Sequence, residues 1–212
     1  SLDEIQKYTK NPILYIPNGV EDNFSVFQAI PKGPDLVFSA ARIIHLKGLH
    51  NVLEALHLID FKGTLNVIGD LNQVESYKEK IRELSKGLNV NFLGLIKDQN
   101  KLFSQIRDSK LFIFPSYSEG MSNMLLEVAS LKIPILASDI SQNMDVFGSR
   151  EAVFFRVGDS DHLAEILEML MQDDEKMKEL SDNAYLKVKK EYQWNIVAKS
   201  YSDLYKQLLK VL

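Results

Sequence analysis

The sequence predicts an α/β fold: a doubly wound, mostly parallel sheet with helices on both faces, followed by a helical C-terminal tail. Short apolar runs recur along the chain, and amphipathic stretches lie between most of them. The runs are continuous rather than alternating, which is expected for strands that helices cover on both faces. Strands and helices that alternate with short connections are typical of doubly wound domains.

Each apolar run is predicted to be a buried strand. The runs span residues 13–16, 36–40, 65–68, 90–93, 111–114, 135–137 and 153–155. Helices are predicted where apolar residues recur at helical spacing. These stretches span residues 49–59, 73–86, 100–107, 122–131 and 162–171, and the chain is almost wholly helical from residue 161 onward.

The two ends of the chain differ from its middle. Residues 1–34 are interpreted as an opening segment and linker, with a Pro-Asn-Gly turn signal at residues 17–19. Residues 35–190 are predicted to form the α/β domain, and residues 191–212 a C-terminal helix that begins near Trp194. The aromatic residues of that helix are predicted to pack in the core, unless the helix normally leans on another domain and exposes them here.

Composition excludes several classes of function. With 212 residues, of which 45% are hydrophobic, the chain can bury a core without disulfides or a structural metal. It contains no cysteine, which excludes thiolate zinc sites and cysteine nucleophiles and fits the cytoplasm. The net charge of -4 argues against a nucleic-acid partner. The apolar runs are too short to span a membrane, and because the chain begins with Ser1 we expect it to be cut from a longer protein.

The first candidate site is the loop that follows the run 36–40, since ligands of an open parallel sheet bind beyond the carboxyl ends of its strands. Arg42 and Lys47 place two cations in this loop. Gly48 opens the next helix, whose N–H groups and positive dipole end are predicted to be exposed. The loop suits a diphosphate, and two ordinary surface cations are the alternative.

The second candidate site follows the run 111–114. Glu119 could accept hydroxyl groups of a sugar, or could be a solvated loop acid. Four backbone N–H groups beside it would face a phosphate or the sugar ring: those of Gly120, Met121, Ser122 and Asn123. Glu127 lies in an apolar helix, where a carboxylate is costly unless it is bonded. A ribose diol could bond it, and a structural ion pair or a helix-dipole partner is the alternative.

The remaining candidates are weaker. Leu95 and Ile96 end the fourth run, where a nucleobase could rest, although an ordinary turn explains them equally well. Asp70 is interpreted as a turn or helix-capping residue. The four histidines show no metal-ligand spacing with acids, so no metal site is predicted. His45 lies near the anion site, and the others are interpreted as surface or boundary residues: His50, His57 and His162.

These segments together resemble the C-terminal domain of retaining glycosyltransferases with the GT-B fold, the large group that uses UDP-, GDP- or ADP-sugars. The similarity covers nearly the whole chain. The matching elements are residues 17–20, Arg42 and Lys47 with Gly48, residues 67–70, residues 92–94, Pro115 and Ser116 with the Glu119/Glu127 pair, residues 133–139, and Trp194. Three departures from the family pattern are Leu131-Lys132 and Leu71, where glycine is common, and residues 141–143, where the loop usually contains glycine.

The resemblance implies a role for each candidate. The fold would be the Rossmann-like, donor-binding half of a GT-B enzyme. Arg42 and Lys47 would bind the donor diphosphate and stabilise it as the leaving group, Glu119 would contact the donor sugar, and Glu127 the nucleotide ribose. An N-terminal domain, missing from this chain, would bind the acceptor, and the final helix would lean on it.

The sequence therefore predicts the donor-binding half of a retaining glycosyltransferase, inactive alone, that moves a sugar to an acceptor hydroxyl in polysaccharide or glycolipid synthesis. The partners expected are a nucleotide sugar and, through the missing domain, a saccharide or glycolipid acceptor, in the cytoplasm or at the inner face of the membrane. No cofactor and no metal is expected, because cations can stabilise the leaving group. Two alternatives stay open: a non-catalytic nucleotide-sugar-binding module, and a nucleotide-sugar epimerase of related fold.

Overall fold

A six-stranded sheet forms the centre of the protein. The computed structural model describes residues 7–10, 13–21, 33 and 35–209. The strands are β1 (Leu36–Arg42), β2 (Thr64–Asp70), β3 (Asn89–Gly94), β4 (Leu111–Phe114), β5 (Ile135–Ser138) and β6 (Val153–Phe155). Their order is β3-β2-β1-β4-β5-β6, and every neighbouring pair is parallel. The predicted doubly wound α/β fold is therefore confirmed.

Eight α-helices connect and follow the strands within the described residues. They are α1 (Leu49–Leu58), α2 (Glu75–Leu84), α3 (Gln99–Arg107), α4 (Asn123–Ser130), α5 (Ser141–Val146), α6 (Ser160–Met171), α7 (Asp174–Glu191) and α8 (Trp194–Leu209). Aspartates at 98, 159 and 173 cap α3, α6 and α7 by accepting a backbone N–H of the first turn. All five predicted helices are confirmed; the short α5 and a 3-10 turn at His45–Lys47 were not predicted.

Two hydrophobic cores lie on the two faces of the sheet. One contains side chains of α1, α2 and α6, and the other contains side chains of α3 and α4. Helix α7 belongs to both: Met177 and Leu180 pack in the first core, whereas Ala184 and Val188 pack in the second. The strands between these layers are covered on both faces, which explains their continuous apolar runs.

The chain reverses its direction of winding between β1 and β4, which are neighbours in the sheet. Ligands of such folds bind in the crevice beyond the carboxyl ends of the strands at this switch point. Gly48 allows the loop after β1 and the loop after β4 to pack closely. It adopts a φ of 70°, and a Cβ there would lie 2.1 Å from the carbonyl oxygen of Pro115. The loops after β1 and β4 are thus pressed together at the crevice.

Two strand predictions are wrong in part. Residues 13–19 form no strand: Pro17 has no N–H to donate to a ladder, and the segment contacts the loop after β4 through Tyr15 and Asn18. The run 90–93 does lie within β3, but β3 is the outer strand of the sheet and is largely exposed. An apolar run indicates a strand without showing whether it lies at the centre or the edge.

Helix α8 presents an exposed aromatic surface. Trp194, Tyr201 and Tyr205 are 49%, 43% and 61% exposed, so their predicted core packing is wrong. The opening segment docks at the start of this helix. Val20 donates its N–H to the carbonyl of Tyr192 (2.8 Å) and accepts the N–H of Trp194 (3.1 Å). Within the ranges that the structure describes, no helix is long and apolar enough to cross a bilayer.

Candidate functional site

The two loops at the switch point are joined by an ion pair. Lys47, from the 3-10 turn after β1, lies 2.5 Å (Nζ to Oε1) from Glu119, which follows β4. The two side chains are only 27% and 12% exposed. The structure therefore brings together a predicted diphosphate ligand and a predicted sugar ligand. Because an ammonium group has three donors, Lys47 can hold Glu119 and still bind a second anion.

Arg42 supplies a second cation at the same edge of the sheet. It is the last residue of β1, it is exposed, and it pairs in register with Asp70 at the end of β2. Its guanidinium group has no ion-pair partner among the described residues. Asp70 is a turn residue, as predicted: its carboxylate accepts the N–H of Asn72 (2.9 Å) and the amide of Gln73, and these bonds hold its pKa below the ordinary value. Arg42 is therefore free to bind an anion.

The N-terminus of α1 is not the open anion site that was predicted. Leu49, His50 and Asn51 are all buried, and the N–H of His50 donates to the Tyr77 hydroxyl (3.3 Å). Tyr77 comes from α2, so a neighbouring helix covers part of this helix end. The cationic side chains of the loop, rather than α1 N–H groups, are therefore the candidate anion ligands at this edge.

The N-terminus of α4 is more open. Ser122 is its N-cap residue, but the Ser122 side chain makes no capping hydrogen bond. Gly120 and Asn123 are exposed. Met121 faces the opening segment: its Sδ accepts the Asn18 N–H (3.1 Å) and the Tyr15 hydroxyl (3.2 Å). The uncapped N–H groups and the positive end of the helix dipole thus lie in the loop that carries Glu119.

Glu127 occupies the buried position that the sequence indicated. Its helix packs Leu125, Leu126 and Val128 in the core, while the carboxylate is half-buried. Burial raises the pKa of Glu127, and a hydrogen bond from Gln99 Nε2 (3.4 Å) partly offsets this. Neither of the predicted structural alternatives, an ion pair or a role in the first turn of the helix, applies, because Glu127 lies past the first turn and its partner is a neutral amide.

A cleft of about 320 Å³ opens beside Glu127. Its lining comes from the opening segment, the starts of α3 and α4, and α8: Gly19, Val20, Glu21, Gln99, Asn100, Phe103, Asn123, Glu127 and Trp194. Leu95 and Ile96, the predicted nucleobase ligands, do not line it. Leu95 is exposed beyond β3, and Ile96 packs against the core that contains α3 and α4. Among the described residues, no three His, Asp or Glu side chains are grouped so as to hold a metal.

Sequence reasoning missed a cluster of buried polar side chains. The cluster lies beneath the loop between β1 and α1 (residues 43–48), the predicted anion loop. His50 and Asn51 are 4% and 3% exposed, so the interpretation of His50 as a surface or boundary residue is wrong. His50 lies between the hydroxyls of Tyr77 (Nδ1, 3.0 Å) and Tyr117 (Nε2, 3.3 Å). Burial, followed by the charges of Lys80 and His45, lowers the pKa of His50 to about 4. The available signal was the His50-Asn51 pair, which follows Gly48 and Leu49 at a predicted helix start.

The fold is that of a doubly wound α/β protein, and the candidate site residues Lys47 and Glu119 meet at its switch point. Comparison with known proteins gives the family. The chain belongs to the family described as Glycosyl transferases group 1, which matches residues 20–187. The resemblance inferred from the sequence motifs is thereby confirmed.

A curated relative shows the same similarity over part of its length. The chain is 25% identical over 174 residues to "Capsular polysaccharide biosynthesis glycosyltransferase CapM" of Staphylococcus aureus. The match covers 80% of this chain and 45% of the relative. The chain therefore spans about half the length of the curated relatives that it matches.

Solved structures show that the fold is that of GT-B glycosyltransferases. A variant of S. aureus TarM, in complex with Fondaparinux, alpha-GlcNAc-glycerol and UDP, superposes with a TM-score of 0.81 at 17% identity, covering 96% of this chain and 41% of TarM. The C-terminal domain of a glycosyl transferase group 1 protein (LpcC) from Francisella tularensis gives a TM-score of 0.71 at 22% identity. That match covers 83% of this chain and 100% of the LpcC domain.

Proposed function

We propose that the chain is the donor-binding half of a retaining glycosyltransferase, which moves a sugar from a nucleotide sugar to an acceptor hydroxyl in polysaccharide or glycolipid synthesis. One observation carries the proposal: the Lys47–Glu119 pair lies at the switch point of the sheet, with Arg42 on the same edge. The name of the S. aureus relative supports polysaccharide synthesis, and the UDP in the TarM complex supports a nucleotide-sugar donor.

The donor would lie along the carboxyl edge of the sheet. Glu127 would accept the two ribose hydroxyls, as a half-buried carboxylate with one weak partner can do. Arg42 and Lys47 would bind the diphosphate, and Glu119 with the uncapped start of α4 would contact the sugar. The nucleobase would lie towards Leu95 and Ile96, at the end of β3. The acceptor would bind a domain outside this chain.

The chemistry would be electrostatic. Breaking the bond between the sugar and the diphosphate builds negative charge on the leaving group, and preorganised cations stabilise this charge. Lys47, held by Glu119 in a crevice of low exposure, is preorganised in this sense. Two cations and a helix dipole can take the place of a metal, so we propose no metal and no cofactor. We place the enzyme in the cytoplasm, or at the inner face of the membrane where a glycolipid acceptor would be.

The first test is calorimetric titration of the chain with UDP, GDP and ADP. We expect one nucleotide to bind selectively, and Arg42→Ala and Glu127→Ala each to weaken it about tenfold or more, because each removes a charged hydrogen-bond partner. Arg82→Ala and Glu168→Ala, exposed residues of α2 and α6, are the matched controls and should bind as the parent does. Binding that all four variants leave unchanged would place the nucleotide elsewhere and contradict the proposal.

The second test uses the full-length protein that contains this chain. It should transfer sugar from the selected nucleotide sugar to an acceptor with the anomeric configuration kept, as read by NMR of the product. The 212-residue chain alone should show no appreciable transfer, because the proposed acceptor-binding domain lies outside it. An inverted product would contradict the retaining mechanism, and epimerisation of the donor without an acceptor would favour the epimerase.

A further inference from the structure

The polar cluster beneath the anion loop forms one continuous chain of hydrogen bonds. Beyond His50, the Tyr117 hydroxyl donates to Asn51 Oδ1 (2.8 Å). The Asn51 amide then donates to the carbonyl of Gly158 (3.3 Å) and to the Ser160 hydroxyl (3.1 Å). Ser160 in turn donates to Glu54 (2.8 Å), which is paired with Lys80. Groups from α1, α2, α6 and the loop after β4 are thus linked in series.

The geometry fixes every proton in this chain. Only the NH2 group of Asn51 can bond the Gly158 carbonyl, so its Oδ1 faces Tyr117 and takes the single proton of that hydroxyl. His50 Nε2 must then donate to Tyr117, which leaves Nδ1 as the acceptor of the Tyr77 hydroxyl. His50 is therefore neutral, in the Nε2–H form. A network whose members are all satisfied gives a rigid, unique arrangement.

Tyr117 is the point at which three loops meet. Its backbone N–H donates to Leu46 in the loop after β1 (2.9 Å), and it lies two residues before Glu119. Its ring lies against Gly158, after β6, where a Cβ would come within 3.2 Å of the ring. The ring also stacks on His50, parallel to within 5° at a centroid distance of 5.8 Å. Lys47 therefore directly follows Leu46, the residue to which the Tyr117 N–H donates, and Glu119 lies two residues after Tyr117 itself.

We propose that Tyr117, held by His50 and Asn51, is a positioning residue that keeps Lys47 and Glu119 paired at the switch point. The role of the pair in donor binding rests on the proposed function, whereas the positioning itself can be measured without ligand. Tyr117 acts from beneath the loops, through its hydroxyl, and need not touch the donor. Removing that hydroxyl alone leaves Asn51 Oδ1 and His50 Nε2–H without their partner and loosens the anion loop.

The ligand-free test measures the acylation rate of the Lys47 amine with a succinimidyl acetate reagent, mapped by peptide mass spectrometry. A lysine held by a carboxylate reacts slowly, so Tyr117→Phe should raise the Lys47 rate about threefold to tenfold, the range that one lost hydrogen bond allows. Lys62, 79% exposed, is the internal reference and should not change. Tyr205→Phe removes the same group from exposed α8 and is the matched control. Asn51→Leu, which keeps the γ-branched shape but has no polar group, should reproduce the Tyr117→Phe result.

The binding test compares UDP with uridine, or the corresponding diphosphate and nucleoside if the titration selects GDP or ADP. In Tyr117→Phe, the affinity that the diphosphate adds to uridine should fall about threefold to tenfold, while uridine itself binds as before at Glu127. In a Lys47→Ala background, Tyr117→Phe should add no further loss, because the residue that it positions is gone. A merely structural role would weaken both ligands and add fully to the loss in Lys47→Ala.

The outcomes separate the two proposals. An unchanged Lys47 acylation rate in both Tyr117→Phe and Asn51→Leu overturns the positioning role, whatever binds. Equal weakening of UDP and uridine also overturns it, since that result reflects general loosening of the fold. If the parent chain binds none of UDP, GDP and ADP, the donor-binding function falls, and the acylation rates alone decide whether Tyr117 positions the pair.

Discussion

Lys47 and Glu119 form an ion pair (Nζ to Oε1, 2.5 Å) although they are 72 residues apart in the sequence. The pair exists because β1 and β4 are neighbours, so that the loops after these strands meet. It has two consequences for the site: Glu119 orients the cation, and it also competes with any diphosphate for that cation.

We expect Glu119→Gln to affect the binding of the diphosphate and the binding of the sugar differently. The amide keeps the shape of Glu119, and its oxygen can still accept a hydrogen bond from Lys47, but the competing negative charge is gone. UDP should therefore bind as well as before or more tightly. UDP-glucose or UDP-N-acetylglucosamine should lose about tenfold of its advantage over UDP, because a charged hydrogen-bond acceptor for the sugar is removed. Titration calorimetry measures both affinities. Glu83→Gln, in an exposed pair with Lys86, is the control. An equal loss for UDP and the UDP-sugar would show that Glu119 does not recognise the sugar.

Gly48→Ala should destabilise the fold far more than Gly87→Ala. Both glycines have a positive φ, 70° and 80°, so both substitutions introduce backbone strain. A Cβ at position 48 would also lie 2.1 Å from the Pro115 carbonyl oxygen, whereas nothing lies within 4 Å of one at position 87. Overpacking should therefore add about 1–3 kcal/mol at Gly48 alone. Denaturant unfolding of both variants measures the difference, and equal losses would show that the two loops are not tightly packed.

Lys132 offers a test of left-handed backbone strain. It has a φ of 57°, and its side chain pairs with Asp182 (3.1 Å) and lies over the Tyr185 ring (4.8 Å). Lys132→Ala loses these contacts and keeps the strain, whereas Lys132→Gly loses the contacts and relieves it. The glycine variant should be more stable than the alanine variant by about 1 kcal/mol. At Lys187, inside α7, the order of the same two substitutions should reverse. An unreversed order would contradict the strain at position 132.

Glu127→Gln should trade nucleotide affinity for stability. Burial raises the pKa of Glu127 above its ordinary value of 4.5, so between these two values the folded state holds more protons than the unfolded state. Stability from this residue therefore falls as pH rises through that window. The glutamine variant lacks this loss, and its stability relative to the parent should increase with pH over the same range. Thermal unfolding from pH 4 to 7 measures this increase.

The same variant should bind nucleotide more weakly at pH 7, because the ribose hydroxyls lose a charged acceptor. Glu168→Gln, on exposed α6, should change neither property. If the glutamine variant and the parent respond identically to pH, the carboxylate is not desolvated. If they bind nucleotide equally well, Glu127 is not the ribose ligand.

The strands and helices could be predicted because each leaves a local pattern. The apolar run of β4 was bounded correctly at residues 111–114, and the helix face of Leu49 and Val52 was recognised from its spacing. The run 13–16 carries a similar pattern but forms no strand in the structure. A local pattern does not show whether a neighbouring strand is available to pair with it. The exposure of β3 could not be predicted for the same reason, because it depends on the position of this strand at the edge of the sheet.

The candidate site could be predicted as a set of residues but not as an arrangement. Strand ends gave Arg42, Lys47, Glu119 and Glu127, because the carboxyl edge of a parallel sheet is where ligands bind. The Lys47–Glu119 pairing depends on strand order, which the runs do not reveal. The burial of His50 depends on Tyr77 and Tyr117, which lie 27 and 67 residues away. A polar residue that distant groups satisfy looks like a surface residue in the sequence.

Helix α7 has a consequence for any shortened form of the protein. Its first half contributes Met177 and Leu180 to one core and its second half contributes Ala184 and Val188 to the other. Helix α7 therefore couples the two layers, and neither layer can open without disturbing the contacts that α7 makes with the other. A chain that stopped before residue 174 would expose apolar surface on both sides of the sheet at once. We expect limited proteolysis to leave the chain intact through the end of α7. We expect amide hydrogen exchange to show both layers opening as one cooperative unit.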